Sequence, residues 1–163
     1  MAHTTSKSNA SDPAHGGLSI ALAGSGGSGV MTAGTLLLSA AAKAGAYGLM
    51  VRTSGPQIRG GEAAALLRIA REPVASLDDG FHLLLAFDWQ NVHRFADEIP
   101  LTATSLIVGD EGEGEAPAAF VATGARVAAL PMKKMAKATP GRWTNMVALG
   151  LADDLKTSER KLH

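Results

Sequence analysis

The stretch LSIALAGSGGSGVMTAGTLLLSAAAKA, residues 18–44, decides the fold. Leu18 to Ala23 is a short β-compatible run, Gly24 to Gly29 is a glycine cluster, and Val30 to Ala44 is a helix-length segment rich in Ala and Leu. Strand, tight loop and helix in that order open an α/β domain. Gly24-Ser25-Gly26-Gly27-Ser28-Gly29 also satisfies GxGxxG in the only setting that gives this weak pattern value. Residues without a Cβ let a phosphate or another backbone come close, and the first amides of the helix point outward as anion donors. Close strand–helix packing without any ligand explains the same glycines, so both readings stand.

Outward from this unit, Tyr47 to Val51 reads as a second strand and Ser54 to Gly61 (SGPQIRGG) as a turn-forming loop. Glu62 to Ala70 and Val74 to Ser76 flank an Arg-Glu-Pro turn, which suggests a hairpin or an antiparallel edge. Phe81 to Phe87 is almost continuously apolar, as in a strand covered on both faces. Asp88 then caps a helix with Trp89, Val92, Ala96 and Ile99 on one face. Ser105 to Val108 is a further strand, Gly109 to Glu115 a solvated acidic loop, and Phe120 to Thr123 with Arg126 to Leu130 an edge-like pair. Met132 to Ala138 is a short basic helix. Thr139, Pro140 and Gly141 break it, and Trp143, Met146, Val147, Gly150, Leu151 and Leu155 form one face of a final helix. The alternation predicts an α/β fold: a three-layer α/β/α sandwich, Rossmann-like, with a mostly parallel sheet and room for an antiparallel edge.

A chain of 163 residues that is 46% hydrophobic suits one domain. Its expected limits are residues 18–152, between a disordered tail over 1–17 and a polar end over 153–163. No run approaches the ~20 apolar residues of a bilayer crossing, so no membrane partner is expected. Fifteen basic and fifteen acidic side chains balance, which removes the electrostatic footprint of a nucleic-acid binder. With no cysteine, thiolate zinc sites, a Cys nucleophile and a self-held iron–sulfur cluster are excluded, and a reducing, cytoplasmic setting fits. Charged residues are 18%, against a typical ~25%, which suggests surface hidden against partners.

Chemistry-bearing residues are few. A P-loop needs Lys and Ser or Thr after Gly29, where Val30 and Met31 stand. An NAD site wants an acid at the end of the second strand, and none comes before Glu62. Arg52 there suits an NADP phosphate, which keeps a free-standing NADP-dependent reductase open. In the SGPQIRGG loop, Pro56 limits one torsion, Gly55, Gly60 and Gly61 release others, and Arg59 places a cation among them. That loop suits an anion or a partner carboxylate, while a surface Arg59–Glu62 pair is the plainer alternative. Asp88 reads as a helix cap, His93 as a core histidine and His82 as a strand residue without a metal partner. No catalytic or metal-binding residue is nominated.

Three motifs in order carry a resemblance. AGSGGSGVMTAGTLL (Ala23 to Leu37), RTSGPQIRGGEAAALLRI (Arg52 to Ile69) and PGRWTNMVALG (Pro140 to Gly150) together resemble the gamma-type domain of 2-oxoacid:ferredoxin oxidoreductases. They look most similar to the fused form, in which this domain begins a longer alpha chain. The resemblance implies a complex that decarboxylates a 2-oxoacid on thiamine diphosphate and magnesium. It further implies electron transfer through iron–sulfur clusters to ferredoxin and acyl transfer to coenzyme A. Its partners are alpha and beta chains, and the gamma-type unit frames the active site without being active alone. Gly24, Gly26, Gly27, Gly29, Gly55, Pro56, Arg59, Gly60 and Gly61 match the family's signature and are the implied cofactor-binding positions. Ser28 and Ser54 depart from it, standing where many members have Gln and Tyr. A coenzyme A or nucleotide-binding module is a further reading. The fused form continues past the final helix, so the polar end at 153–163 is expected to mark a truncated chain.

Overall fold

β1 (Leu18–Ser25) is buried from Ser19 to Gly24, because a strand covered on both faces has no wet side. The computed structural model describes residues 17–55, 61–90 and 92–138. The predicted N-terminal tail up to residue 16, the final helix and the polar end lie outside the described residues. α1 (Val30–Lys43) follows β1. Next come β2 (Tyr47–Ser54), β3 (Glu62–Ala70) and β4 (Leu83–Ala86). After a 3₁₀ turn at Val92–Phe95, β5 (Leu106–Asp110), α2 (Ala118–Val121), β6 (Arg126–Leu130) and α3 (Met132–Ala138) complete the order.

The six strands form one sheet in the order β2-β3-β1-β4-β5-β6. β1, β4, β5 and β6 run parallel, and β3 runs antiparallel to both its neighbours, β1 and β2. Side chains leave the sheet alternately to two cores. Leu22, Leu67, Leu85 and Val108 meet α1 and α3 on one face. Ala21, Leu84 and Ile107 meet Val92, Phe95, Ile99 and Phe120 on the other. Each fully buried Leu, Ile or Phe contributes about 1.5–3 kcal/mol of apolar transfer. The three-layer α/β expectation therefore holds.

Several expected elements take another form. β3 does not pair with Val74 to Ser76, which is no strand. It enters the sheet between β1 and β2, because Glu62 to Leu67 is buried throughout and an interior slot covers such a run on both sides. The antiparallel strand is thus internal rather than at an edge. β1 and β2 extend to Ser25 and Ser54, beyond the expected Ala23 and Val51, since their ladders with β3 continue. The helix expected after Asp88 is a four-residue 3₁₀ turn, whose shorter period buries Phe95 and turns His93 to solvent. His93 is not a core residue. Phe120 to Thr123 is not a strand either: Phe120 and Val121 belong to α2, which begins after Pro117, and among the described residues β6 pairs with β5 alone. The acidic loop is tied down rather than merely solvated, with Glu113 bonded to Lys133 and Glu111 to Lys134 at 2.6 Å.

Candidate functional site

The chain leaves β1 toward β2 on one side and returns at β4 on the other. The C-terminal ends of β1 and β4 are therefore a topological switch point, where open α/β sheets leave a crevice. The glycine loop fills one wall. Gly24 is buried, and a Cβ there would lie 2.6 Å from Ser28 Oγ and 3.3 Å from Asp88 Oδ2. Gly26 and Gly27 are exposed. A Cβ on Gly27 would meet nothing within 4 Å among the described residues. Gly29 has φ 88°, a left-handed turn that glycine adopts without steric cost, and α1 begins at the next residue with no side chain capping it.

The second loop stands on the neighbouring rungs. Gly26 N–H donates to the Gly61 carbonyl at 2.6 Å, which couples the two glycine-rich segments directly. Gly55 N–H donates to the Glu62 carbonyl at 3.0 Å and closes the loop's feet. A Cβ on Gly55 would overlap the Glu62 carboxylate. Pro56, Arg59 and Gly60 lie outside the described residues. The structure thus brings Gly24, Gly26, Gly27, Gly29, Gly55 and Gly61 to one end of the sheet.

Three polar groups brace this junction. Asp88 Oδ2 accepts from Ser25 N–H at 2.9 Å and from Ser25 Oγ at 2.8 Å. Its other oxygen accepts from Gln90 N–H at 3.2 Å. Asp88 therefore makes the local turn bond expected of a cap, and its shorter bonds tie β4 to the glycine loop. Ser28 Oγ donates to the Ser25 carbonyl at 2.7 Å. Glu62 is buried and accepts from Arg94 Nη1 at 2.9 Å. Its own backbone N–H, then the Arg94 guanidinium, hold its carboxyl below the usual glutamate range against the opposing effect of burial. Glu62 is thus a buried carboxylate satisfied from the 3₁₀ turn, and Arg59, its expected surface partner, lies outside the described residues. The sequence singles out Glu62 but not its pairing with Arg94, which stands 32 residues away. The first residue of an otherwise apolar strand was the one available signal.

Farther along the same sheet end, a groove of about 360 Å³ opens beyond β5 and β6, lined among others by Trp89, Gly109, Val121, Val127 and Ala129. Asp110, also on its wall, accepts from Gly112 N–H at 2.8 Å and Lys133 N–H at 2.7 Å, so it fixes the start of α3. Among the described residues no group of three or more His, Asp or Glu side chains is arranged to hold a metal ion. Nor is any helix among them long and apolar enough to cross a membrane.

The sheet order also bears on dinucleotide binding. A dinucleotide fold sets the second strand beside the first, within reach of the ribose. Here β3 intervenes, and Arg52 sits two strands, roughly 10 Å, away from β1.

Residues 19–158 match the family model described as pyruvate ferredoxin/flavodoxin oxidoreductase. The chain belongs to that family. Among solved structures, a 2-oxoglutarate:ferredoxin oxidoreductase from Magnetococcus marinus, with 2-oxoglutarate, coenzyme A and succinyl-CoA bound, is 30% identical. That likeness covers 83% of this chain with a TM-score of 0.70. The chain spans only 23% of that protein. The gamma subunit of a keto/oxoacid ferredoxin oxidoreductase from Geobacter sulfurreducens PCA shares the fold at 20% identity, with a TM-score of 0.61 over 80% of this chain and 70% of its own. A pyruvate oxidoreductase subunit from Thermotoga maritima does so at 19% identity, with a TM-score of 0.63 over 83% and 74%. Comparison with curated protein sequences returns no match. Within the pyruvate ferredoxin/flavodoxin oxidoreductase family, this chain has the fold of the gamma subunits.

Proposed function

We propose that this chain is the gamma-type part of a cytoplasmic 2-oxoacid:ferredoxin oxidoreductase, an enzyme that converts a 2-oxoacid oxidatively to an acyl-CoA. It works there with alpha and beta chains and with ferredoxin as electron acceptor. The observation that carries the reading is the coupled pair of glycine loops at the switch point in a chain of this family. The open space over Gly27 admits an approaching group. The uncapped start of α1 offers amides and a positive dipole end to phosphate oxygens.

Coenzyme A carries such phosphates, and the residue with room to meet them is Gly27, beside the first amides of α1, with Gly26, Gly29 and Gly61 shaping the turns around it. Asp88 and Glu62 hold these backbones in place through Ser25 and Gly55, so their part is positioning. Iron–sulfur clusters require thiolates, of which this sequence has none. Clusters therefore have no ligands in this chain, and we assign them, with thiamine diphosphate and its magnesium, to the alpha and beta chains. Thiamine diphosphate supplies the electron sink for decarboxylation when bound there.

The test is reconstitution with the alpha and beta portions, following 2-oxoacid-dependent ferredoxin reduction while coenzyme A is varied. Gly27→Val, which meets none of the described residues of this chain, should raise the KM for coenzyme A while leaving the fold of the isolated chain intact. Unchanged kinetics would assign the junction to structure alone. Turnover of any 2-oxoacid by the isolated chain would overturn the reading.

A further inference from the structure

The sheet ends on β2, whose outer side no strand among the described residues pairs with. Edge strands of soluble proteins are usually short, charged, proline-bearing or bulged. β2 is eight residues long, YGLMVRTS, and Arg52 is its one charge. Tyr47 and Val51 are 50% and 41% exposed, and with Leu49 they lie on the face away from α1. Val51 stands beside Leu66 of β3, so this strip continues the second core's face outward.

The backbone specifies what fits. Gly55 N–H bonds the Glu62 carbonyl, so alternate residues of β2 from Tyr47 to Thr53 turn their N–H and C=O groups toward β3. Gly48, Met50, Arg52 and Ser54 turn theirs outward. An antiparallel strand can satisfy them only if it too presents alternate residues in phase. β2 itself does so about a two-fold axis at Met50, where Gly48 meets the partner's Arg52 and Met50 meets its counterpart.

That register sets Leu49 opposite the partner's Val51, and the reverse, joining two apolar strips on one face. It also places each Arg52 opposite a glycine, four residues from the other Arg52. Moving the axis to Val51 would instead put the two arginines on a close diagonal, where like charges repel.

We propose that β2 is the interface for a second copy of this chain, joining two sheets into one of twelve strands across an isologous two-fold contact. Sedimentation equilibrium of the purified full chain should give a dimer. Leu49→Lys with Val51→Lys should raise its dissociation constant about tenfold or more, with an unchanged circular dichroism spectrum.

The sequence has no cysteine, so introduced thiols report cleanly. Met50→Cys places two thiols on residues whose Cα atoms are about 5.5 Å apart, within disulfide reach, and should give a covalent dimer on oxidation. Thr53→Cys lies about 20 Å from its counterpart and should not. A monomer at all concentrations, as expected if residues 139–163 or another subunit cover the edge, would overturn the proposal. So would a dimer indifferent to the two lysines, or equal cross-linking by both cysteine variants.

Discussion

Gly24 and Gly27 sit three residues apart in one loop and answer to different demands. Gly24 is required by the chain itself, because Ser28, Asp88 and Phe87 already occupy the volume of any side chain there. Gly27 faces open space among the described residues and has no left-handed torsion to excuse it. Nothing among the described residues of this chain requires a glycine at that place. The inner half of the junction is thus explained by folding, and the outer half is where the proposed function places an approaching group. A single glycine-rich motif can therefore contain two separable causes.

The largest effect should come from breaking the inner half. Gly24→Val forces atoms into Ser28 Oγ, Asp88 and Phe87, and should cost about 3 kcal/mol or more in urea unfolding, with loss of folded yield. Gly55→Ala drives a methyl into the Glu62 carboxylate and should cost about 1–3 kcal/mol. Asp88→Ala leaves Ser25 N–H and Oγ without their acceptor and should cost a similar 1–3 kcal/mol, roughly, by the same measurement.

A smaller effect separates charge from shape. Glu62 has a lowered pKa, so its ionised form adds stability above its unfolded pKa, and this is lost as pH falls through the lower folded value. Wild type should therefore exceed Glu62→Gln in urea midpoint at neutral pH. The gap should close as pH drops below the ordinary 4.5. A gap that widens in acid would reverse the assignment. Least affected of all is Gly27→Ala, whose stability should stay within about 0.5 kcal/mol of wild type. Its effect should appear only in the assembled enzyme's coenzyme A dependence.

What could be read beforehand follows the range of the interactions. The boundary between Gly29 and Val30 is local, set by a left-handed glycine and an Ala- and Leu-rich run, and it was legible. So was the buried Phe81 to Phe87 stretch, whose ladder bonds to β1 extend from His82 to Phe87. The slot of β3 was not, because EAAALLRIA states that it is buried but not between which strands. The 3₁₀ turn escaped for a related reason: Val92, Ala96 and Ile99 suit a helix, and only packing of Phe95 against the sheet selects the tighter winding. Asp88 was read through its nearest neighbours, whereas its shortest bonds reach back 63 residues to Ser25.

The SGPQIRGG loop joins two strands that are adjacent in the sheet, with Ser54 facing Ala63 at its base. Its ends are therefore held at a separation set by the ladder, whatever residues span them. Between Gly55 and Gly61, which the scaffold itself requires, such a crossing is interchangeable: a relative could donate its own version as a cassette without disturbing the strands underneath. Diversification at this corner would cost the rest of the molecule very little.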